Sequence, residues 1–213
     1  MNVTRILAIR HGETAWNVDT RIQGHLDIPL NDNGLRQARR VARALASRET
    51  IHAVYSSDLQ RAHDTARAIA EASRAPLTLH TGLRERCFGL FEGKTWAEIE
   101  TTWPEESARW RKREPAWAPQ GGESLLQMRE RVTQALHELM REHVDQQIVL
   151  VAHGGVLDQL YRLATGIDLQ APRTWQLGNT AVNRLLWTPQ GISLVGWSDN
   201  SHLEDDSLDE LNA

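Results

Sequence analysis

An arginine, a histidine and a glycine follow one another near the start of the chain, directly after an apolar segment. Residues 6–9 are apolar and partly β-branched, which indicates a buried strand. Arg10 and His11 would then lie at the carboxyl end of that strand, where open α/β sheets bind their ligands. The arginine offers a fork of donors to a phosphate, and its charge disfavours protonation of His11, which keeps the imidazole nucleophilic. Gly12 lets the backbone approach a ligand. The alternative is an ordinary polar strand end in contact with solvent.

A second histidine occupies the same kind of position later in the chain. Residues 148–152 are uniformly apolar, as in a central parallel strand, and His153 and Gly154 follow them directly. If the two strands are neighbours, His11 and His153 converge on one crevice.

Arg61 is predicted to lie in the first turn of a helix that begins near residue 59, with Asp58 as the N-cap. A basic residue opposes the helix dipole there unless an anion binds, so Arg61 indicates an anion site. The alternative is an exposed arginine.

Glu85 lies between Arg84 and Arg86 in a segment that glycines close. A carboxylate in that setting is a candidate general acid or base. The alternative is a surface ion pair, which contributes less than about 1 kcal/mol.

Alternating strands and amphipathic helices would position these side chains, which predicts an α/β fold. The apolar patterns predict strands near residues 6–9, 51–55, 76–79 and 148–152, and a closing hairpin over 179–187 and 192–197. The helical patterns begin near residues 31–34, 59, 125 and 156.

Residues 94–120 differ in composition from the rest of the chain. Four tryptophans recur every seven residues from Trp96, but the prolines in this segment prevent one continuous helix. We predict two short helices that form a lid. The basic residues of the lid would hold a substrate carboxylate or form a solvated helix face. They are Arg109, Arg111, Lys112 and Arg113.

The composition limits the classes of function. The chain has 213 residues, 24 basic and 28 acidic residues and a net charge of -4, which argues against a nucleic-acid surface. A single cysteine fits a reducing compartment, and no apolar run is long enough to span a membrane or act as a signal peptide.

We expect one cytoplasmic domain over residues 1–213, with 94–120 as the lid and 199–213 as an acidic tail that either frays or covers the site. A homodimer is left open, because the eight tryptophans suit a core, a lid or an interface.

The order of these motifs resembles that of the histidine phosphatase superfamily over almost the whole chain, in particular its bacterial "phosphoglycerate mutase B" type. The residues that carry the resemblance are Arg10-His11-Gly12-Glu13, Asn17, Gln23-Gly24, Ser56 to Ala62, the Glu85 segment, Gly122-Glu123-Ser124 and His153-Gly154.

This resemblance implies a three-layer α/β/α sandwich with a mostly parallel central sheet and a short helical lid. His11 would become a phosphohistidine, and Glu85 would protonate the leaving oxygen and then activate water. The phosphoryl oxygens would be bound by Arg10, Arg61 and His153, with Asn17 assisting, and further substrate contacts would come from Gln23, Gly24, Gly154, Arg111 and Lys112. No metal is expected, because two arginines and a histidinium would supply the positive charge.

The resemblance leaves the reaction open. Mutases of the family carry a lysine shortly after the glutamate segment and an arginine pair in the lid, whereas Trp96 and Arg111-Lys112 stand near those places here. The short lid would also expose a phosphohistidine to water. We therefore predict a metal-independent phosphomonoesterase for small phosphorylated metabolites. A phosphoglycerate mutase that uses a 2,3-bisphosphoglycerate primer is the alternative, and a non-catalytic phosphate-binding module is the third option. A metallohydrolase lacks a ligand motif of suitable spacing.

Overall fold

The computed structural model describes residues 2–204, and a six-stranded sheet forms its centre. The strands in chain order are β1 Thr4–Arg10, β2 Ala53–Ser56, β3 Leu77–Leu79, β4 Gln147–Ala152, β5 Val182–Thr188 and β6 Gly191–Asp199. Their spatial order is β3-β2-β4-β1-β5-β6. The pairs among β1 to β4 are parallel, and β5 and β6 form an antiparallel hairpin beside β1. The predicted strands and closing hairpin are confirmed.

Helices cover both faces of the sheet. Those of the described residues are α1 Ala15–Val18, α2 Asp32–Arg48, α3 Gln60–Ser73, α4 Trp96–Thr102, α5 Pro104–Arg111, α6 Leu125–Met140 and α7 Gly154–Thr165. Alternate residues of β1 point to opposite faces, so Leu7 and Ile9 pack with α2 and α3, whereas Ile6 and Ala8 pack with α6 and α7. The expected α/β/α sandwich is confirmed.

The central pair of strands positions both histidines. Arg10 of β1 lies opposite Ala152 of β4, and the amide of His11 donates to the carbonyl of Ala152 over 3.0 Å. His11 and His153 therefore follow two parallel strands that end at the same level. The prediction that these strands are neighbours is confirmed.

The N-cap of α3 differs from the prediction. Leu59 occupies the cap position, and the amide of Gln60 donates to Asp27 Oδ1 over 2.7 Å. Asp58 lies one residue too early to cap and instead accepts from Arg84 Nε over 2.7 Å. Both nitrogens of the Arg84 fork contact this carboxylate, and such charge-assisted bonds hold the pKa of Asp58 below its ordinary value.

The lid segment folds into two short helices, as predicted. Three of its tryptophans surround the fully buried ring of Phe91, with ring centroids 5.8 Å away for Trp103 and 6.1 Å away for Trp110 and Trp117. These tryptophans and Phe91 form an aromatic cluster that packs the lid against the segment before it.

The tail prediction is only partly within the described residues. Asp199 ends β6, and the turn over Ser201–Leu203 packs on α2, where Arg40 donates to the Leu203 carbonyl over 2.9 Å. His202 in this turn is buried. Residues 205–213, which make up the rest of the predicted tail, lie outside the described residues.

Between residues 2 and 204, none of the helices combines the length and apolar character needed to cross a membrane.

Candidate active site

His11 is held with one specific nitrogen available for reaction. Its Nδ1 lies 2.7 Å from the carbonyl oxygen of Gly12, which can only accept, so Nδ1 carries the hydrogen and donates it. The lone pair of the neutral ring is therefore on Nε2. Burial, together with the charges of Arg10 and Arg61, holds the pKa of His11 well below its ordinary value. The ring is thus neutral near pH 7, as a nucleophile must be.

His153 faces His11 from the end of β4. The two ring centroids are 5.2 Å apart, and neither ring nitrogen of the fully buried His153 has a hydrogen-bond partner among residues 2–204. Burial and the charge of Arg61 hold its pKa well below the ordinary value. The expected histidinium is therefore disfavoured in the protein alone, and His153 offers one N–H from a neutral ring. A dianionic ester beside it would raise that pKa.

Two arginines supply the positive charge, of which Arg61 is fully buried and Arg10 is half-buried. Arg10 donates from Nη1 to the Leu177 carbonyl over 2.6 Å, and Arg61 donates to the carbonyls of Leu26 and Gly24 over 2.9 and 2.8 Å. In both side chains the Nε group has no partner within the described part of the chain. Burial lowers both pKa values, but a guanidinium keeps its charge in proteins. Each arginine is thus fixed by backbone and has a donor left for an anion.

Glu85 is bound by the first turn of α7. The amide of Gly155 donates to both carboxylate oxygens, over 3.0 and 3.1 Å, and the amide of Arg86 donates to Oε1 over 2.7 Å. A Cβ on Gly155 would lie 2.2 Å from Oε1, so only glycine permits this contact. A Cβ on Gly154 would lie 3.8 Å from Arg10 Nε and 3.9 Å from Glu85 Oε2, which brings the acid and this arginine to one place.

Asn17, another predicted site residue, is linked to His11 through Asn179. Asn17 Oδ1 accepts from the Thr14 amide over 3.0 Å in the cap of α1, and it lies 3.4 Å from Asn179 Nδ2. Asn179, which sequence reasoning missed, also donates to the His11 carbonyl over 2.8 Å. Gln23 is buried, and its Oε1 has no partner among residues 2–204.

A cavity of about 550 Å³ opens beside these groups. Arg10, Glu85 and Gly154 line it. Of the basic lid residues, Arg113 lies in the far wall. The other residues of this wall were not predicted as site residues and include Arg86, Asp158, Gln159, Arg173 and Trp175. The sequence contained a signal for two of them. Asp158 and Gln159 follow Gly154 and Gly155 by four residues, and residues at this spacing lie on the same face of a helix.

The structure does not bring Arg111 and Lys112 to this cavity. Arg111 pairs with Glu100, lies 5.6 Å from the ring centroid of Trp96 and lines a neighbouring cavity of about 330 Å³. Lys112 is exposed at the end of α5. The chain then turns at Arg113, whose φ is 51°, and this turn directs the Arg113 side chain to Asp158 in the cavity wall.

Comparison with known proteins places this geometry in a family. The model of the histidine phosphatase superfamily (branch 1) matches residues 6–200. The chain belongs to this superfamily, and the prediction from its motifs is confirmed.

Relatives carry both phosphatase and mutase names. The chain is 39% identical to the "Metal-independent phosphoserine phosphatase" of Arabidopsis thaliana, over 94% of this chain and 84% of the relative. It is 36% identical to the "Probable phosphoglycerate mutase GpmB" of Proteus mirabilis, over 97% of this chain and 98% of the relative. A solved structure of an Entamoeba histolytica phosphoserine phosphatase mutant with phosphoserine has a TM-score of 0.84 and 28% identity, over 94% of this chain and 99% of that one.

Proposed function

We propose that the protein is a metal-independent phosphomonoesterase that acts on small phosphorylated metabolites through a phosphohistidine. The observation that carries this proposal is the neutral ring of His11, whose Nδ1 is bound to the Gly12 carbonyl and whose Nε2 is free to react. A site that only bound phosphate would need neither this nucleophile nor a carboxyl group at the position of Glu85.

The geometry supports a reaction in two displacements. Nε2 of His11 forms a bond to phosphorus while the bond to the ester oxygen breaks, and Glu85 gives its proton to that oxygen. Glu85 then takes a proton from water, the water oxygen bonds to phosphorus, and the bond to His11 breaks to release phosphate. Arg10, Arg61 and the N–H of His153 would stabilise the charge on the phosphoryl oxygens throughout.

Hydrolysis is favoured over transfer to a second substrate. A mutase must hold its acceptor and keep water from the phosphohistidine, whereas the cavity beside Glu85 opens to solvent and Arg111 and Lys112 lie away from it. The phosphatase relative and the phosphoserine complex also favour hydrolysis. The mutase name of the bacterial relative makes phosphoryl transfer the alternative to test.

We place the enzyme in the cytoplasm, with no nucleic-acid or membrane partner, because its net charge is negative and it has a single cysteine.

The proposal is tested by phosphate release from the EDTA-treated protein. The panel contains phosphoserine, 3-phosphoglycerate and an aryl phosphate, and we expect release that EDTA does not lower. His11→Ala should lose at least about 10⁴-fold in rate, because no other group can replace the nucleophile. His52→Ala, at an exposed histidine before β2, is the matched control and should keep full activity.

Two results would contradict the proposal. Interconversion of 2- and 3-phosphoglycerate with little phosphate release would identify a mutase. If wild type and His11→Ala were equally inert and neither formed a phosphohistidine, the protein would be a binding module.

A further inference from the structure

The wall of the cavity beyond Glu85 is formed by one face of α7. Gly155, whose amide binds the carboxylate, is followed on this face by Asp158 and Gln159. With a rise of about 1.5 Å per residue, these two lie about 5 Å further along the helix axis. A substrate whose ester oxygen meets Glu85 would therefore extend its leaving group toward them.

Three polar atoms in this part of the wall have no hydrogen-bond partner within residues 2–204. They are Asp158 Oδ1, Gln159 Nε2 and Trp175 Nε1. Their residues are only 5%, 0% and 9% exposed, and all three line the cavity. Buried polar groups in native proteins are nearly always bonded, so three such atoms in one wall indicate a polar ligand.

The other atoms of Asp158 and Gln159 are firmly held. Asp158 Oδ2 accepts from Arg113 over 2.9 Å and from Arg162 over 3.0 Å. Gln159 Oε1 accepts from Arg129 Nε over 3.2 Å, which identifies the free end of this amide as its donor. The two free atoms are therefore fixed in place before a ligand binds.

Trp175 is fixed by contacts with both Tyr161 and Arg162. Its ring stacks on Tyr161 with centroids 4.1 Å apart, and the Arg162 guanidinium lies 4.7 Å from its centroid. With the ring held by these contacts, Trp175 would meet a ligand through its unpartnered Nε1–H, as a hydrogen-bond donor.

One acceptor beside two donors matches hydroxyl groups, which both donate and accept. An ammonium group fits poorly, because two arginines already neutralise Asp158 and a third, Arg173, lies in the same wall. A carboxylate only accepts hydrogen bonds, so it has no hydrogen to donate to the free Asp158 Oδ1. We propose that Asp158, Gln159 and Trp175 form a hydroxyl-binding subsite, so that the preferred substrates are phosphate esters of polyhydroxylated molecules such as sugars and polyols. This inference rests on the proposed phosphatase activity.

The test compares esters that differ only in their hydroxyl groups. We would measure kcat/KM for sorbitol 6-phosphate against hexyl phosphate, and for glycerol 3-phosphate against propyl phosphate. Wild type should prefer the hydroxylated ester at least tenfold in one or both pairs, since each hydrogen bond made only by that ester contributes about a factor of five.

Two variants test whether Trp175 and Gln159 cause the preference for hydroxylated esters. Trp175→Phe removes the Nε1 donor and keeps a ring, and Gln159→Glu replaces the amide donor while it keeps an acceptor for Arg129. Each should reduce the preference ratio about fivefold. The matched control is Trp187→Phe on β5, which is absent from the cavity wall and should leave the ratio unchanged. An equal loss for both esters of a pair would show a purely structural role and overturn the subsite.

Failure of the subsite and failure of the phosphatase give different results. If wild type releases phosphate equally from both members of each pair, the subsite is wrong and the phosphatase stands. If no ester is hydrolysed, calorimetry of the same esters with His11→Ala tests the subsite without turnover. Tighter binding of the hydroxylated esters would support it, and equal binding would show that water satisfies the three atoms.

Discussion

In the proposed reaction, a single backbone carbonyl determines which atom of His11 attacks phosphorus. Arg10-His11-Gly12 was enough to predict a nucleophile at a strand end, but the sequence does not say which ring nitrogen would react. The choice follows from the 2.7 Å contact between Nδ1 and the Gly12 carbonyl. The position of Glu85 depends in the same way on backbone groups, the amides of Gly155 and Arg86.

We therefore expect Gly155→Ala to displace the carboxyl group of Glu85. The new Cβ would lie 2.2 Å from Oε1 and 2.9 Å from the terminal carbon of Met128, so the glutamate must move. Since general acid catalysis contributes about 10²- to 10⁴-fold, kcat should fall by about 10²-fold or more, while KM changes little. Steady-state kinetics on an ester with a poor leaving group would measure this, because such a group needs the proton most.

Gly196→Ala is the control for this prediction. A Cβ there meets no atom within 4 Å, and the residue lies in β6, away from the cavity wall. It should leave kcat unchanged. A Gly155→Ala protein with full kcat would show that Glu85 can act from a different position.

Residues at the ends of strands and helices could be predicted, and residues in the cavity wall could not. His11, His153 and Arg61 each mark the end or start of a regular element, so local patterns reveal them. Trp175 and Asn179 belong to the loop between α7 and β5, and their partners lie more than ten residues away in the chain. Their roles depend on packing that no local pattern records.

Among the elements, α6 has a role that its amphipathic pattern did not show. Its residue Arg131 donates from Nη1 to the carbonyls of Gly82 and Arg84, over 2.9 and 3.0 Å, and pairs with Glu123 over 2.7 Å. The segment that carries Glu85 is thereby attached to the helix. A planar guanidinium can serve several acceptors at fixed angles, which an ammonium group cannot do.

Arg131→Lys should therefore loosen the Glu85 segment. We expect kcat to fall about tenfold and the free energy of unfolding to fall by about 1–3 kcal/mol, because the hydrogen bonds to two partly buried carbonyls are lost. Urea denaturation and steady-state kinetics would measure both. Arg141→Lys, at the exposed C-terminal end of α6, should change neither quantity. If Arg131→Lys kept both values, the contacts with Gly82 and Arg84 would not be what holds the segment.

The predicted elements agree with the structure except where two positions compete for one role. Asp58 is a favoured N-cap residue, yet Arg84, 26 positions later, contacts it and Leu59 takes the cap position. The same limit applies to the lid, where Arg111, Lys112 and Arg113 are adjacent in sequence and only the turn at Arg113 decides which of them reaches the cavity. Helical periodicity predicts which face of a helix is buried. Contacts with distant parts of the chain decide which of several adjacent residues takes a cap position or reaches the cavity.

At the scale of the whole molecule, three buried histidines from different parts of the chain make stability depend on pH. Burial lowers the pKa of His11, His153 and His202 in the folded protein, the first two strongly. Below a pH of about 6.5 the unfolded chain binds protons that the folded chain does not, so the free energy of unfolding falls as pH decreases. The slope reaches about 1.4 kcal/mol per pH unit for each histidine.

We expect His202→Gln to reduce this slope by up to about 1.4 kcal/mol per pH unit. His202 is the histidine to change, because it lies in the turn that packs on α2 and does not line the cavity beside Glu85. Urea denaturation at pH 8, 6.5 and 5 would give the slope, and the difference from wild type at pH 8 isolates the packing cost. An unchanged slope would mean that His202 is protonated equally in both states.

The position of β1 also affects how the protein is made. This strand is formed by residues 4–10, but its two sheet neighbours are residues 147–152 and 182–188. At a synthesis rate of about 5–20 residues per second, the ribosome needs roughly ten seconds or more to reach the second neighbour. Both edges of an apolar strand are unpaired during part of that interval, which is when a chaperone would protect it. His11, the proposed nucleophile, is therefore translated well before the two strands that hold β1 in the sheet.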